Sequence, residues 1–569
     1  MMEFKEAGAR EAGAMAGGGR GASVTQEERL FRAETVQTAL AARTPIYQIE
    51  AWRPLLEKHS RMRLTDDSNL RELIPPLHDV ELDYVKGWLG KHRVSIIFDG
   101  TTYDGEAFAT VGRIINPDTF MPEQRLLSLK LYERTGMKAE DIGGALNDTI
   151  AGTYGIAGER VVCLARDRCA SNTKALHKTL FTSLYRNFVD SECFSHSFGK
   201  PPEATSHETS TILVDALTHS WRFPSSRAVW KDVTGHKPPG ECETRWGVEH
   251  ELEVEILNNW NALPSWLSLM EQNDYCAALT ATAAKILRST TGGTCGGGMS
   301  LDAHLQLAAS VDFGHPFVTR LYMLEGDGFT FLDAYEAVIG IESWCTSPVL
   351  AASNKVIASY VNTKFTALPS EHQRIAEREK LADQLLKYCC SVFQPGIDKW
   401  RKLFGIVRER KPGELSGLVE LYKRARLVNP YTAYLMGPNA DSVQKLAAAF
   451  PLLRRDPERV KRLIAELPTF LSVCEPVRLP PLPDKVPFLQ HRDEHIAKFY
   501  ADNKARLPEF SELFRDLALI TASSAAAERV FSLFNNTFGK QQQGAYEDYI
   551  ETALMLQYRN KPPTWDTRK

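Results

Sequence analysis

No two of the ten cysteines form a C-x-x-C pair, and none precedes Cys163. A cysteine-based zinc finger in the first part of the chain is thereby excluded. The scattered spacing points to free thiols in a reducing compartment and not to a disulfide framework. No apolar run approaches the ~18 residues that a membrane span requires, so no membrane partner is expected. The N-terminus has no apolar core of the kind a secretory signal carries. Strong positive charge is missing too. The formal net charge is −3 over 569 residues, which gives no global sign of nucleic-acid binding but leaves local clusters open. No internal repeat of fixed period is present.

What is present is an ordinary globular composition on a chain long enough for roughly two to four domains. Residues 1–25 are rich in Gly, Ala and Glu without apolar periodicity and are expected to be a disordered tail. Residues 26–90 read as a helical N-terminal segment in which Ile46, Ile49, Trp52 and Leu55 recur at three-residue steps. From residue 91 the pattern changes. Val94–Phe98, Phe108–Ile115 and Leu126–Leu131 read as strands, the first ending at Asp99-Gly100. A helix follows, with Ile142, Leu146 and Ile150 on one stripe. Val161–Ala165 is a fourth strand, residues 171–184 a helix, and 188–194 a fifth strand. The order β-β-β-α-β-α-β is that of an RNase H-like core.

Residues 245–490 carry helical patterns and almost no strand signal, so this stretch is expected to be an all-α insertion. Five prolines between Pro476 and Pro487 read as an extended connector at its end. Residues 491–569 return to helices. One carries Ala525–Ala527, Val530 and Phe531. Another carries the stripe Tyr546, Ile550, Ala553 and Leu554, which predicts an exposed dimer contact if the helix lies on the surface.

Asp99 and Asp167 stand at the C-terminal ends of the first and fourth strands, which are parallel neighbours in such a sheet. Two carboxylates there suit hard, oxygen-loving Mg²⁺. Paired ions ~3.5–4 Å apart activate water and stabilise the leaving oxygen in phosphodiester cleavage. Glu528 suits the third ligand position, because its Ala-rich flank lets a helix approach the sheet closely. On spacing alone, turn and cap roles for the aspartates and a solvated face for Glu528 remain open.

Five elements in order carry a family resemblance. Ile97-Phe-Asp-Gly-Thr-Thr102 resembles the first-aspartate block of hAT transposases. Arg166-Asp-Arg-Cys-Ala-Ser-Asn172 resembles their second, with Asn172 in the supporting place. Cys193-Phe-Ser-His196 is similar to the C-x-x-H element, and Thr244-Arg-Trp246 to the R-W motif at the entrance of the inserted domain. Ser523–Ser532 with Glu547–Ile550 resembles the C-terminal hAT block. The resemblance implies an RNase H-like catalytic core split by an all-α insertion, and an Asp99-Asp167-Glu528 triad that binds Mg²⁺ or Mn²⁺. It also implies a C-terminal region that makes a homodimer or higher oligomer, DNA as partner, and a nuclear location. Activity would be DNA cleavage and strand transfer. The alternative is a catalytically silent domesticated derivative acting as a dimeric scaffold or regulator. By the same analogy Arg245 and Trp246 contact DNA, with Trp246 stacking on an extruded base. A core aromatic at a domain junction is an equal alternative for Trp246. Members of the family usually carry an N-terminal BED zinc finger, which is not expected here.

Other motifs carry less. Cys193 and His196 lack two further ligands, so no structural zinc is expected. His491-Arg-Asp-Glu-His495 fits the bare H-x-x-E-H pattern and reads as solvated surface. Gly292–Gly298 lacks the lysine of a phosphate loop and reads as a flexible connection. The basic stretch Arg401, Lys402, Arg408, Arg410, Lys411, Lys423, Arg424 and Arg426, next to Trp400, is interleaved with Glu409, Glu414 and Glu420. It reads first as a solvated helix face and second as a phosphate contact.

Overall fold

A computed structural model describes residues 24–565 except 104, 134–135, 181–187, 240–245, 291–292, 296–297, 366–370, 405–415 and 539–546. The chain forms two compact units. The first comprises Met1–Cys193, Glu325–Asp333 and Glu420–Lys569, and the second Phe194–Leu324 and Ala334–Val419.

The first unit is built on a mixed five-stranded sheet. Its strands are β1 (Val94–Tyr103), β2 (Gly105–Ile115), β3 (Pro122–Tyr132), β4 (Val161–Arg166) and β5 (Val189–Glu192), in the spatial order β3-β2-β1-β4-β5. β1, β2 and β3 form an antiparallel meander, while β4 joins β1 in parallel and β5 joins β4 in parallel. Short connections permit the meander; the two parallel joins need helical crossovers. Ala139–Asn147 and Ala170–Lys174 stand in those crossovers. The central strands β1, β2 and β4 carry apolar runs because both faces are covered there. Ile96, Ile97, Phe98, Ala107, Ala109, Val111 and Val162 are all fully buried.

Helices from both ends of the sequence cover the sheet. Ala525–Thr537 packs on β1 and β2. Glu547–Asn560 packs on β3, on the N-terminal helices Gln26–Ala41 and Ile74–Leu89, and on Ala525–Thr537. The Ile550, Ala553 and Leu554 side chains expected at a dimer contact are therefore 0%, 1% and 0% exposed within their own chain. Tyr546 lies outside the described residues. The stripe is core because it meets a sheet edge and two helices of its own unit. The expected N-terminal stripe is also corrected, since Ile46 and Ile49 are buried but Trp52 and Leu55 are exposed. Ile46 lies in a 3-10 turn before the helix Ile49–Ser60, and within that helix steps of three residues fall about 60° short of a full turn, so Leu55 is rotated about 120° from Ile49.

Residues Glu325–Asp333 return from the helical unit to the first unit and are held there by three arginines. Arg113, fully buried on β2, donates to the carbonyls of Asp327 at 2.9 Å, Gly328 at 2.8 Å and Ala518 at 3.1 Å. Burial lowers its pKa to about 10. Arg529 donates to the Glu325 carbonyl at 2.9 Å and ion-pairs with Asp327. Arg492 grips Asp333, at 2.9 Å through Nη2, and also bonds Asp493. The segment expected to be solvated at His491–His495 is thus largely internal. His491, Arg492 and Asp493 are buried in the helix Phe488–Asn503, and Asp493 accepts the Phe329 amide at 2.7 Å.

The second unit is helical apart from the two-residue strands Thr294–Cys295 and Met299–Ser300, which interrupt the stretch read as a plain connection. Its axis is the helix Leu301–Leu324, on which Phe194–Glu203, Trp246–Asn258, Ala351–Lys364 and Glu371–Phe404 pack. Trp400 is completely buried among Phe198, Phe317 and Phe404 and donates to Glu342 at 2.7 Å, so it is not part of a basic surface. Arg401 and Lys402 are exposed. Arg408, Arg410 and Lys411 lie outside the described residues.

Candidate active site

The sheet register places Asp99 and Asp167 just beyond the paired ends of two neighbouring parallel strands. β1 and β4 pair in parallel as far as Ile97 and Ala165. Two residues further along each strand come Asp99 and Asp167. β4 and β5 pair as far as Arg166 and Glu192, and the next residues are Asp167 and Cys193, with the Cys193 amide donating to the Arg166 carbonyl at 2.7 Å. By register Asp99, Asp167 and Cys193 therefore fall in one row at the same end of three neighbouring strands, just beyond the residues that pair.

β1 does not stop at Asp99 as its sequence suggests. It continues to Tyr103, with Asp99 opposite Ala109 and Gly100 opposite Phe108 on β2. Asp-Gly reads as a turn when seen alone, but here the β2 partner continues and the pairing carries the strand through. What ends near Asp99 is the pairing with β4, so the acid lies where two strands part. Asp99 is 6% exposed, and its Oδ1 accepts the Gly100 amide at 2.9 Å.

Asp167 is half-buried. Its Oδ1 accepts the Cys169 amide at 3.1 Å and the side-chain amide of buried Asn172. Asn172 is thus the residue that orients this carboxylate. The preceding Arg166 is fully buried and binds Asp190 through two bonds of 2.9 and 2.8 Å, the Thr173 hydroxyl at 2.8 Å and the Asp167 carbonyl at 3.0 Å. Sequence reasoning missed the roles of Arg166 and Asp190. An arginine closing an apolar strand run was the available signal, because a buried guanidinium needs an acidic partner.

Glu528 sits in the first turn of the helix Ala525–Thr537. Ala525, Ala526 and Ala527 are 5%, 4% and 0% exposed, and their small side chains let the helix lie on β1 and β2. A carboxylate oxygen of Glu528 is within 4.8 Å of the Cys193 Sγ. Ser524 links the two, donating its amide to Cys193 at 3.3 Å and its hydroxyl to Glu528 at 3.3 Å. Ser191, on the same strand, donates to the Thr521 carbonyl at 2.5 Å, which ties β5 to the segment before this helix. Glu528 therefore stands beside Cys193, the residue that follows β5.

The remaining expected residues belong to the helical unit. His196 is exposed on the helix Phe194–Glu203. Trp246 opens the helix Trp246–Asn258, and Arg245 lies outside the described residues.

Among the described residues, no helix is long and apolar enough to cross a membrane. No curated protein matches the chain. Residues 479–558 match the model of the hAT family C-terminal dimerisation region. That stretch holds Glu528, Arg529 and the Arg492–Asp493 pair, and the match supports membership of the hAT family.

Proposed function

We propose that the protein is a hAT-type transposase, or a relic of one, whose first unit is an RNase H-like core. In this reading Asp99, Asp167 and Glu528 bind Mg²⁺ or Mn²⁺ for DNA cleavage and strand transfer, in a nuclear homodimer or higher oligomer acting on DNA. The observation that carries it is the row Asp99–Asp167–Cys193 with Glu528 beside Cys193. The donor set suits the ion in kind, since Asp99 and Asp167 offer hard oxygens at the parting of two strands and Glu528 offers another beside Cys193. When bound, such ions activate water and stabilise the leaving oxygen of a phosphodiester.

The chain's own residues supply the positioning. Asn172 and the Cys169 amide hold one oxygen of Asp167, so the carboxylate is oriented before any ligand arrives. Burial of Asp99 excludes water from its flank. Ser524 ties Glu528 to the β5 end.

The test is a nicking assay on supercoiled DNA with Mn²⁺ and Mg²⁺. Slow nicking is expected, abolished by Asp167→Asn and by chelation. Nicking that survives both would overturn the assignment. Complete inactivity of a chain that still binds Mn²⁺ through Asp167 would instead identify a catalytically silent derivative.

A further inference from the structure

Within the helical unit, a cavity of about 200 Å³ is lined by Glu203, His207, Glu249, His250, Glu253 and Ser310. No lysine or arginine is among the described residues that line it. Three carboxylates line the cavity; Glu253 is buried, while Glu203 and Glu249 belong to exposed residues.

The second observation is His250. Its side chain is 5% exposed, and its Nδ1 makes no hydrogen bond. The Glu253 Oε2 stands 3.7 Å from that nitrogen, too far for a hydrogen bond. Two ligand atoms that each bind one divalent ion at about 2.0–2.2 Å stand apart by a similar span. Glu253 is fixed in place, because its other oxygen accepts the buried Ser310 hydroxyl at 2.7 Å. Opposite, Gly314 keeps space beside the imidazole, since a Cβ there would lie 2.6 Å from His250 Nδ1.

We propose that this cavity binds a divalent transition-metal ion of the Zn²⁺ or Co²⁺ type, with His250 Nδ1 and Glu253 Oε2 as direct ligands. Imidazole nitrogen selects such ions over Mg²⁺ or Ca²⁺. The volume holds several waters at about 30 Å³ each, so water completes the coordination shell and Glu203 and Glu249 neutralise the charge. The site is separate from the three acids of the first unit and does not depend on their role.

The experiment uses the full chain carrying Asp167→Asn, so that metal binding at the first unit's acids is suppressed. Zn²⁺ is titrated by calorimetry, and Co²⁺ by visible absorption. A Co²⁺ spectrum with nitrogen ligation is expected. Adding His250→Ala or Glu253→Gln should lower the Zn²⁺ stoichiometry by one, or weaken that site by at least about tenfold, as loss of even an outer-shell partner does. Gly314→Ala should weaken it as well, by crowding Nδ1. Circular dichroism checks folding; if His250→Ala unfolds, the near-isosteric Glu253→Gln decides. Zn²⁺ and Co²⁺ binding that is unchanged by Glu253→Gln, or absent from the Asp167→Asn chain, overturns the proposal.

Discussion

Arg529 ion-pairs with Asp327, 202 residues earlier in the sequence, from the position next to Glu528. Adjacent residues of one helix turn therefore have different surroundings: Glu528 stands beside Cys193, and Arg529 anchors a returning segment. Arg529→Met should destabilise the first unit by about 3–5 kcal/mol, because it leaves Asp327 without its buried partner. Urea unfolding followed by tryptophan fluorescence measures this, and a midpoint equal to the parent's would contradict it.

Asn172→Ala should act on metal response and not on folding. The substitution removes the donor that orients Asp167. If the proposed site is correct, Mn²⁺ half-saturation of nicking rises about 10–100-fold, the usual consequence of losing an outer-shell partner. Unchanged Mn²⁺ dependence would separate Asn172 from the metal response.

The helix Glu547–Asn560 is a structural part of its own unit, whatever it also does between copies. Leu554 is fully buried, and Leu554→Ala should cost about 2–5 kcal/mol. Ending the chain after Asn536 should yield unfolded or aggregated protein and not a folded monomer. Sedimentation of a soluble, cooperative monomer would refute this.

Asp493 predicts a pH dependence. Burial outweighs Arg492 and pushes its carboxyl from 3.8 to about 6. A carboxyl raised in the folded state binds its proton more tightly there than when unfolded. Its contribution to stability is therefore fully present below about pH 4 and is lost as pH rises through about 6. Asp493→Asn should flatten stability against pH between 4 and 6, whatever it does to the absolute level. Equal slopes for variant and parent would show that Asp493 ionises normally.

The strands were legible because each is an apolar run long enough to stand apart from its neighbours. Asp99, Asp167 and the close-packing Ala525–Ala527 flank followed from where those runs end and where small residues cluster. The stop at Gly100 was misread because only the continued pairing with β2 carries β1 onward, and pairing is not a local property. The placement of His491–Asp493 was missed for the same kind of reason. A polar run on a helix looks solvated unless its partners are known, and Asp333 and Phe329 are far away in sequence. Arg113 offered a hint, a guanidinium inside an apolar strand, but its acceptors are backbone carbonyls that leave no trace in a side-chain pattern.

The return of Glu325–Asp333 also limits how this protein can change over generations. A deletion that excised residues 245–490 as one cassette would take with it two of the three acceptors of Arg113, the Asp333 partner of Arg492 and the Asp327 partner of Arg529. Three guanidinium groups inside the remaining unit would then lose acceptors at once, with only Ala518 left to Arg113 and Asp493 to Arg492. Viable shortening has to be piecemeal, trimming helices on either side of these nine residues while leaving them in place. Descendants of this chain should therefore vary in the length of the flanking helices far more readily than in the stretch between Glu325 and Asp333.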